Sequence, residues 1–327
     1  MRGPFARRLA SLVLAALVFV FVGSVIMRNW QDIREAEFDL HIGLLLLSFA
    51  LLGLYFVGRS LLWHYLTARA GIAIPVGEAV AAWFYSQLGK YLPGKVFLYL
   101  GRLHYYRRHR RPTAILAMVF LVETLATLSA SVVTVLVSLL LLDVVELEGW
   151  RILLVFALVA FTIILHPRFL NGGLRLGLRL FKRKPQQVEL SASDTYLFVV
   201  MYVANWLVFG LAFFVFINSM LSISATYIIY LAGSFSLATL VGMFSVFVPS
   251  GLGVREGILM FMLSQVIPLE AAIVVSVAAR LWFTVAELVA IGIVRAVTRS
   301  PISWSASADA SDEDGFSMVE TQSKGSV

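Results

Sequence analysis

The sequence predicts an all-α protein, a polytopic bundle of about eight membrane helices with proline- and glycine-broken hairpins. Three observations support this fold class. Of the 327 residues, 60% are hydrophobic and only 14% are charged. Several nearly uncharged runs exceed 18 residues, which is long enough to cross a bilayer core of about 30 Å. Two apolar segments are interrupted by proline and glycine, which indicates broken helices enclosed by other helices.

Hydropathy predicts the first helix at Leu9–Met27. Its apolar run is longer than the roughly 7–15 residues of a signal-peptide core, so we expect it to stay uncleaved. The segment 76–106 is less apolar and is interrupted by the sequence KYLPGK, so it is predicted to be a broken hairpin. The other spans are predicted at Leu40–Leu62, Thr113–Leu142, Trp150–Leu165, Asp194–Met220, Tyr227–Val248, Ile258–Ile267 and Leu269–Val297.

Composition divides the chain into a membrane domain, residues 1–300, and a polar acidic stretch, residues 301–327, predicted to be a disordered cytoplasmic tail. The tail carries a net charge of −4, which leaves +11 on the membrane domain. Membrane topology explains this excess, and we expect no nucleic-acid partner.

Charge also predicts the orientation. The segments 102–112 and 175–184 are strongly basic, whereas 32–39 and 143–149 are acidic. The positive-inside rule therefore predicts a multi-pass protein of the cytoplasmic membrane, with both termini and both basic segments on the cytoplasmic side.

A shift of 156 residues aligns the layout of two parts of the chain. Pro93 falls on Pro249, and the predicted helix 113–142 falls on 269–298. The pattern suggests two halves, 40–142 and 194–298, whose hairpins enter the membrane from opposite sides. Inverted repeats with paired broken segments are typical of transporters that bind substrate between the breaks.

The first interrupted segment, SQLGKYLPGKVFLYLGR, occupies residues 86–102. Open helix ends and nearby cations favour an anion such as a lipid phosphate. The alternative is an interfacial amphipathic hairpin whose basic side chains extend to headgroups. The candidate helix breaks are Pro93, Gly94 and Gly101, and the candidate substrate-binding cations are Lys90, Lys95 and Arg102.

The second interrupted segment, FVPSGLGVREG, occupies residues 247–257 and repeats this logic. Ser250 could cap the following helix, and Arg255 in its first turn could hold a phosphate through two parallel hydrogen bonds. Glu256 could neutralise Arg255 or pair with a basic residue of the other half, and a purely structural ion pair is the alternative. The candidate helix breaks here are Pro249, Gly251 and Gly253.

Glu123, Arg280 and Glu287 are predicted to lie within long membrane helices. Ionisable groups at such depth bind substrate or pair with one another, and a structural ion pair between Glu123 and Arg280 would explain them equally well. Most tryptophans fall near predicted span ends, where interfacial anchoring is expected.

The chain has no cysteine, and its five histidines are scattered without metal-ligand spacing. It also contains no phosphate-binding loop, nucleophile elbow or zinc-protease motif. We therefore expect no metal, no cofactor, no catalytic residues and no enzymatic activity.

The segments KYLPGKVFLYLGR and VPSGLGVREG together resemble the lysylphosphatidylglycerol synthase transmembrane region, also called the flippase-like domain family. The resemblance covers roughly residues 5–300. Phe97, Thr124 and Ser250 depart from residues frequent in relatives, and the soluble aminoacyl-transferase domain of the full-length synthases is absent from the sequence.

The resemblance implies a lipid translocase that moves a phospholipid or a polyprenyl-phosphate-linked sugar, with a membrane lipid as its ligand. One alternative is a membrane glycosyltransferase. Another is a non-catalytic scaffold that holds a glycosyltransferase or lipid-synthase partner. The acids of the glycosyltransferase would be Asp32, Glu35, Glu37 and Asp39.

Overall fold

The computed structural model describes residues 27, 40–91, 96–141, 151–164, 192–244 and 253–298. Every regular element in these residues is helical, which confirms the predicted all-α fold class. The α-helices are α1 (Ile42–Arg69), α2 (Val76–Gln87), α3 (Val96–Arg108), α4 (Thr113–Leu141), α5 (Arg151–Ile164), α6 (Ala192–Asn218), α7 (Ile228–Phe244), α8 (Val254–Leu263) and α9 (Leu269–Thr298). Short 3-10 turns occupy Leu88–Tyr91 and Ala225–Tyr227.

Five of the described helical segments are long and apolar enough to cross a membrane, so the protein is a multi-pass membrane protein. Helix α5 is apolar but shorter. The predicted span Leu9–Met27, apart from its last residue, and the predicted tail 301–327 lie outside the described residues. The five segments are Ile42–Arg69, Thr113–Leu141, Tyr196–Asn218, Ala225–Met243 and Leu269–Thr298.

Helix α1 extends seven residues beyond its predicted end at Leu62. Trp63, Leu66 and Thr67 are buried against neighbouring helices, so tertiary packing continues the helix into a region with a histidine and an arginine. Burial likewise corrects the expectation for four tryptophans. These side chains are enclosed in the bundle instead of anchoring it at the membrane interface: Trp63, Trp83, Trp206 and Trp282.

The described helices form two halves with the same layout, α1–α4 and α6–α9. Each half consists of a long helix, two shorter helices separated by a break, and a second long helix. Shifting α4 by 156 residues reproduces the start of α9 at Leu269, and the other three helices agree to within six residues at their starts. This layout corresponds to the halves 40–142 and 194–298 that the sequence pattern suggests.

The first helices of the two halves, α1 and α6, run antiparallel. The His41 N–H, immediately before α1, donates a 2.8 Å hydrogen bond to the Ser219 carbonyl after the end of α6. In the middle of both helices the Asn205 amide donates to the Tyr55 carbonyl at 3.2 Å. At the other end Arg69 pairs with Asp194. One half is therefore inverted relative to the other.

Contacts between helices follow the same symmetry. Helix α2 packs on α1, α3 and α9, and its equivalent α7 packs on α6, α8 and α4. Helix α4 contacts α6, just as α9 contacts α1. Exchanging the halves therefore maps the principal contacts of these eight helices onto themselves, as expected for a pseudo-two-fold axis perpendicular to α1 and α6.

Aromatic side chains fill the centre between the halves. Phe209 of α6 packs on Phe235 of α7 with ring centroids 4.2 Å apart, and Phe56 of α1 packs on Phe283 of α9 at 5.2 Å. Large apolar side chains on the outer helix faces are exposed, for example Leu46, Val200 and Ile293. Such a surface suits a hydrocarbon environment, where exposed apolar groups carry no hydration penalty.

Candidate functional site

Six charged side chains in the described part of the bundle form two clusters, one in each half, and Glu287 of α9 is buried as well. The first-half cluster consists of Arg59 on α1, Arg102 on α3 and Glu123 on α4. The second-half cluster consists of Arg255 and Glu256 on α8 and Arg280 on α9. Both clusters sit where the shorter helices of a broken hairpin meet a long helix, because the breaks bring polar residues into contact with a membrane span.

Arg102 and Glu123 form the buried ion pair of the first-half cluster, and their exposed fractions are 3% and 4%. The Arg102 Nε–H also donates to Ser86 Oγ at 3.0 Å, and the Trp83 Nε1–H donates to Glu123 Oε1 at 3.3 Å. The guanidinium lies 4.1 Å from the Trp63 ring centroid. Both charges are thus compensated, as burial requires.

Gly101 positions Arg102 in this cluster. The sequence suggested that Gly101 breaks a helix, and this prediction is wrong, since the residue lies in the middle of α3. Its role is close packing, because a Cβ at Gly101 would lie 3.0 Å from Ser86 Cα. Helix α3 therefore approaches α2 closely enough for Arg102 to reach the Ser86 hydroxyl.

The packing around Arg102 continues to Tyr106, one turn further along α3. The Tyr106 ring packs edge-on against Trp63, and its hydroxyl donates to Thr67 Oγ1 at 3.2 Å. The aromatic cover of Arg102 is therefore held in place by its own hydrogen bond.

Arg59 is the third charge of this cluster and the one that is held least tightly. Its NH1 donates to Thr127 Oγ1 at 3.0 Å, and its NH2 lies 3.9 Å from Glu123 Oε1. The guanidinium also lies 4.6 Å from the Tyr202 ring centroid. Its side chain is 15% exposed, so it is more accessible than Arg102.

In the second-half cluster Glu256 pairs with Arg280, with NH1 and Oε1 3.3 Å apart. The contact lacks hydrogen-bond alignment, since Glu256 Oε1 accepts no hydrogen bond from the part of the chain that the structure describes. The other carboxylate oxygen accepts from the Gly253 N–H at the start of α8. This geometry corrects two expectations. Arg280 pairs within its own half and not with Glu123, and Glu256 pairs with Arg280 of that same half.

Gly253 begins α8 with a φ of 78°, in the left-handed region that favours glycine. Arg255 lies in the first turn of α8. The predicted helix break at Gly253 stays a prediction, because residues 245–252 lie outside the described residues. The N-cap is Gly253, so the prediction that Ser250 caps this helix is wrong.

Arg255 is a partly buried cation that lines a cavity. Its guanidinium lies 4.4 Å from the Phe235 ring centroid and 5.3 Å from that of Phe283. Across the described residues it makes no hydrogen bond and has no carboxylate within ion-pair distance. The cavity is lined by Phe235, Arg255, Glu256, Leu259, Ser276, Arg280 and Phe283. An anion in this cavity would meet two guanidinium groups against an aromatic wall.

Tyr55 lies between the clusters. It is one helical turn from Arg59 on α1. Its ring packs against Phe209, with centroids 5.2 Å apart, and Phe209 packs on the Phe235 ring below Arg255. Ring contacts between Tyr55, Phe209 and Phe235 therefore connect the two clusters. Arg102 lies in the first-half cluster and Arg255 in the second-half cluster.

The remaining predicted site residues fall at the edges of the described segments. Lys90 lies in the 3-10 turn Leu88–Tyr91, and its side chain is not described. Arg59 was missed, although an arginine inside the predicted span Leu40–Leu62 was itself a signal. The predicted residues outside the described part of the chain are Pro93, Gly94, Lys95, Pro249 and Gly251, with the acids Asp32, Glu35, Glu37 and Asp39.

Comparison with known proteins defines the family. A search of curated proteins found no match. The profile described as the lysylphosphatidylglycerol synthase TM region matches residues 8–292, which include both charged clusters and every described helix up to most of α9. The family points to a function related to membrane lipids. The chain therefore belongs to the lysylphosphatidylglycerol synthase transmembrane-region family.

Proposed function

We propose that the protein is a lipid translocase that moves a phosphate-bearing lipid, either a phospholipid or a polyprenyl-phosphate-linked sugar, across the cytoplasmic membrane. The observation that carries the proposal is Arg255. A cation inside a membrane bundle is costly unless it has a counter-charge or a function. Among the described residues Arg255 has aromatic neighbours and a cavity in front of it, but no hydrogen-bonded acceptor.

The lining of this cavity suits phosphate chemically, because an arginine can hold a phosphate with two parallel hydrogen bonds. Arg280 supplies the second guanidinium and is 19% exposed. Its loosely aligned contact with Glu256 provides an exchange: an entering phosphate displaces the carboxylate from Arg280, and the carboxylate returns when the phosphate leaves. Exchange of this kind favours turnover over permanent capture, since neither state leaves Arg280 without an anion.

The inverted halves support movement across the membrane. Two structurally equivalent halves that face opposite directions allow one site between them to open alternately to either side. The apolar tail of a lipid remains in hydrocarbon throughout, so only the headgroup needs a polar route. The cations inside the bundle provide a polar route for the headgroup, and the exposed apolar outer faces of the helices provide a surface for the lipid tail.

Orientation follows from charge. The basic turn after α3 belongs on the cytoplasmic side. The antiparallel contacts agree with this assignment, because the predicted topology places Arg69 and Asp194 on one side, and His41 and Ser219 on the other. We propose that both termini are cytoplasmic.

The proposal is tested in phosphatidylcholine vesicles that contain the purified protein and a trace of acyl-labelled fluorescent lipid. Dithionite bleaches the outer leaflet and reports movement between leaflets. The arms are labelled phosphatidylglycerol, a labelled short-chain polyprenyl phosphate, and labelled phosphatidylcholine for comparison. Wild type is expected to move at least one of the first two faster than protein-free vesicles do.

Arg255→Gln is expected to slow this movement at least about tenfold, because it removes charge-assisted hydrogen bonds to the headgroup. Arg255→Lys keeps the charge without the planar fork and should give an intermediate rate. Arg295→Gln, at an exposed position near the end of α9, is the matched control and should behave as wild type. Unchanged transport by a folded Arg255→Gln protein, or no transport of either phosphate lipid by wild type, would refute the proposal.

A further inference from the structure

The two arginines of the first-half cluster differ in what they can do. Both edges of the Arg102 guanidinium are engaged, by Ser86 and by Glu123, and the rings of Trp63 and Phe120 lie 4.1 and 5.2 Å from it. Arg102 therefore cannot reach a ligand without breaking its ion pair. Its geometry is that of a structural residue that fixes α3 against α4.

Arg59 has the opposite character. Its nearest carboxylate oxygen, 3.9 Å away, belongs to Glu123, which is already paired with Arg102. The three charges of the cluster therefore sum to +1, and the surplus charge is on the more accessible side chain. An additional anion at Arg59 would neutralise the cluster.

An unsatisfied polar group lies close to Arg59 on the facing helix α6. The Tyr202 hydroxyl is buried and finds no hydrogen-bond partner among the described residues, although the Tyr202 ring contacts Arg59. Buried polar atoms without partners are uncommon in folded proteins, and a bound anion is one group that would satisfy the Tyr202 hydroxyl. A phosphate beside Arg59 would accept a hydrogen bond from the Tyr202 hydroxyl.

We propose that Arg59 and Tyr202 form a second binding position for the phosphate headgroup, on the opposite side of Tyr55 from Arg255. The inference rests on the proposed function for the identity of the ligand. It places one cationic position in each half, Arg59 in the first and Arg255 in the second, and assigns Arg102 to structure. The headgroup would pass from one half to the other beside Tyr55.

The test uses Thr127→Cys, which places a thiol where the Arg59 guanidinium donates its hydrogen bond. The natural chain has no cysteine, so this thiol is the only one in the protein. The probe is 2-hydroxyethyl methanethiosulfonate, a small neutral reagent whose access does not depend on the charge at residue 59. Labelling rates are measured in detergent solution with the full chain, alone and with each ligand.

The ligands are dihexanoyl phosphatidylglycerol, dihexanoyl phosphatidylcholine and inorganic phosphate. Phosphatidylglycerol at about ten times its dissociation constant should slow labelling about tenfold, because labelling requires the unoccupied state. Phosphatidylcholine should protect weakly, since its headgroup carries its own cation. Protection by phosphatidylglycerol but not by inorganic phosphate identifies a lipid site, whereas equal protection by both would overturn the assignment to a lipid headgroup.

The decisive comparison repeats the measurement in Arg59→Gln/Thr127→Cys. Protection should disappear in this protein, and Arg59→Lys/Thr127→Cys should retain part of it.

Protection that survives Arg59→Gln unchanged would overturn the proposal, as would a Thr127→Cys thiol that never reacts or is never protected. The two proposals can fail separately. If Arg255→Gln abolishes vesicle transport but lipid does not protect the Thr127→Cys thiol, only this inference is wrong. If lipid protects the thiol but the wild-type protein transports no lipid, only the proposed function is wrong.

Discussion

Arg102 on α3 and Glu123 on α4 form an ion pair enclosed on all sides, with two further hydrogen bonds, from Trp83 to the carboxylate and from Arg102 to Ser86. The pair joins the second arm of the broken hairpin to a membrane span. A buried ion pair holds helices together, whereas an accessible charge without a full counter-charge can bind a ligand. The burial of Arg102 and Glu123 therefore assigns them a structural function, which the sequence could not do.

Removing one member of this pair should destabilise the protein strongly. Arg102→Gln leaves Glu123 as a buried carboxylate without its main partner, at a cost of about 3–5 kcal/mol in the free energy of unfolding. Thermal unfolding in detergent should show a lowered Tm for both Arg102→Gln and Glu123→Gln. The double variant should lose less than the sum of the two, because the interaction can be lost only once.

Arg59→Gln is the matched comparison for this prediction, since it removes a cation from the same cluster without orphaning Glu123. Its Tm should stay close to that of wild type. Equal destabilisation by Arg59→Gln and Arg102→Gln would contradict the division into a structural and a ligand-binding arginine.

Gly253→Ala should weaken the start of α8. The residue has a φ of 78°, and a side chain in the left-handed region costs roughly 1–2 kcal/mol. The strain can be relieved only by shifting the helix start, which would move Arg255, so transport should fall together with Tm. Gly257→Ala on the same helix is the control, because its added Cβ would meet no atom within 4 Å. If Gly257→Ala lowers transport and Tm as much as Gly253→Ala does, the positive φ of Gly253 is not the cause of the loss.

Glu256→Gln should separate binding from release. Without the carboxylate, Arg280 has lost the partner that competes with phosphate, so headgroup affinity should rise. A change of one charge-assisted contact corresponds to about tenfold in affinity. Equilibrium binding of dihexanoyl phosphatidylglycerol should tighten while the transport rate in vesicles falls. Weaker binding in this variant would contradict the exchange between carboxylate and phosphate.

Single cysteines should report the orientation of the halves, since the natural chain supplies no background thiol. Arg110→Cys is predicted to face the cytoplasm, and Ser224→Cys and Gln265→Cys the opposite side. A membrane-impermeant maleimide applied to intact cells should therefore label the last two and not the first. Labelling of Arg110→Cys from outside would reverse the proposed topology.

The helical class and the positions of most helices could be predicted from the sequence, because they depend on local properties: the length of apolar runs and the positions of proline and glycine. Arg255 and Gly253 were candidates for the same reason, since a charge next to glycine and proline within an apolar segment is visible in one dimension.

Which charges meet depends on the packing of helices that are distant in the chain. Glu123 is paired with Arg102 and not with Arg280, and Arg59 carries the surplus charge, because antiparallel packing of α1 on α6 and insertion of α3 against α2 bring together residues far apart in the chain. Burial of the tryptophans has the same origin. Hydropathy measures how apolar a residue is, whereas its neighbours across the bundle determine whether it faces lipid, protein or a ligand.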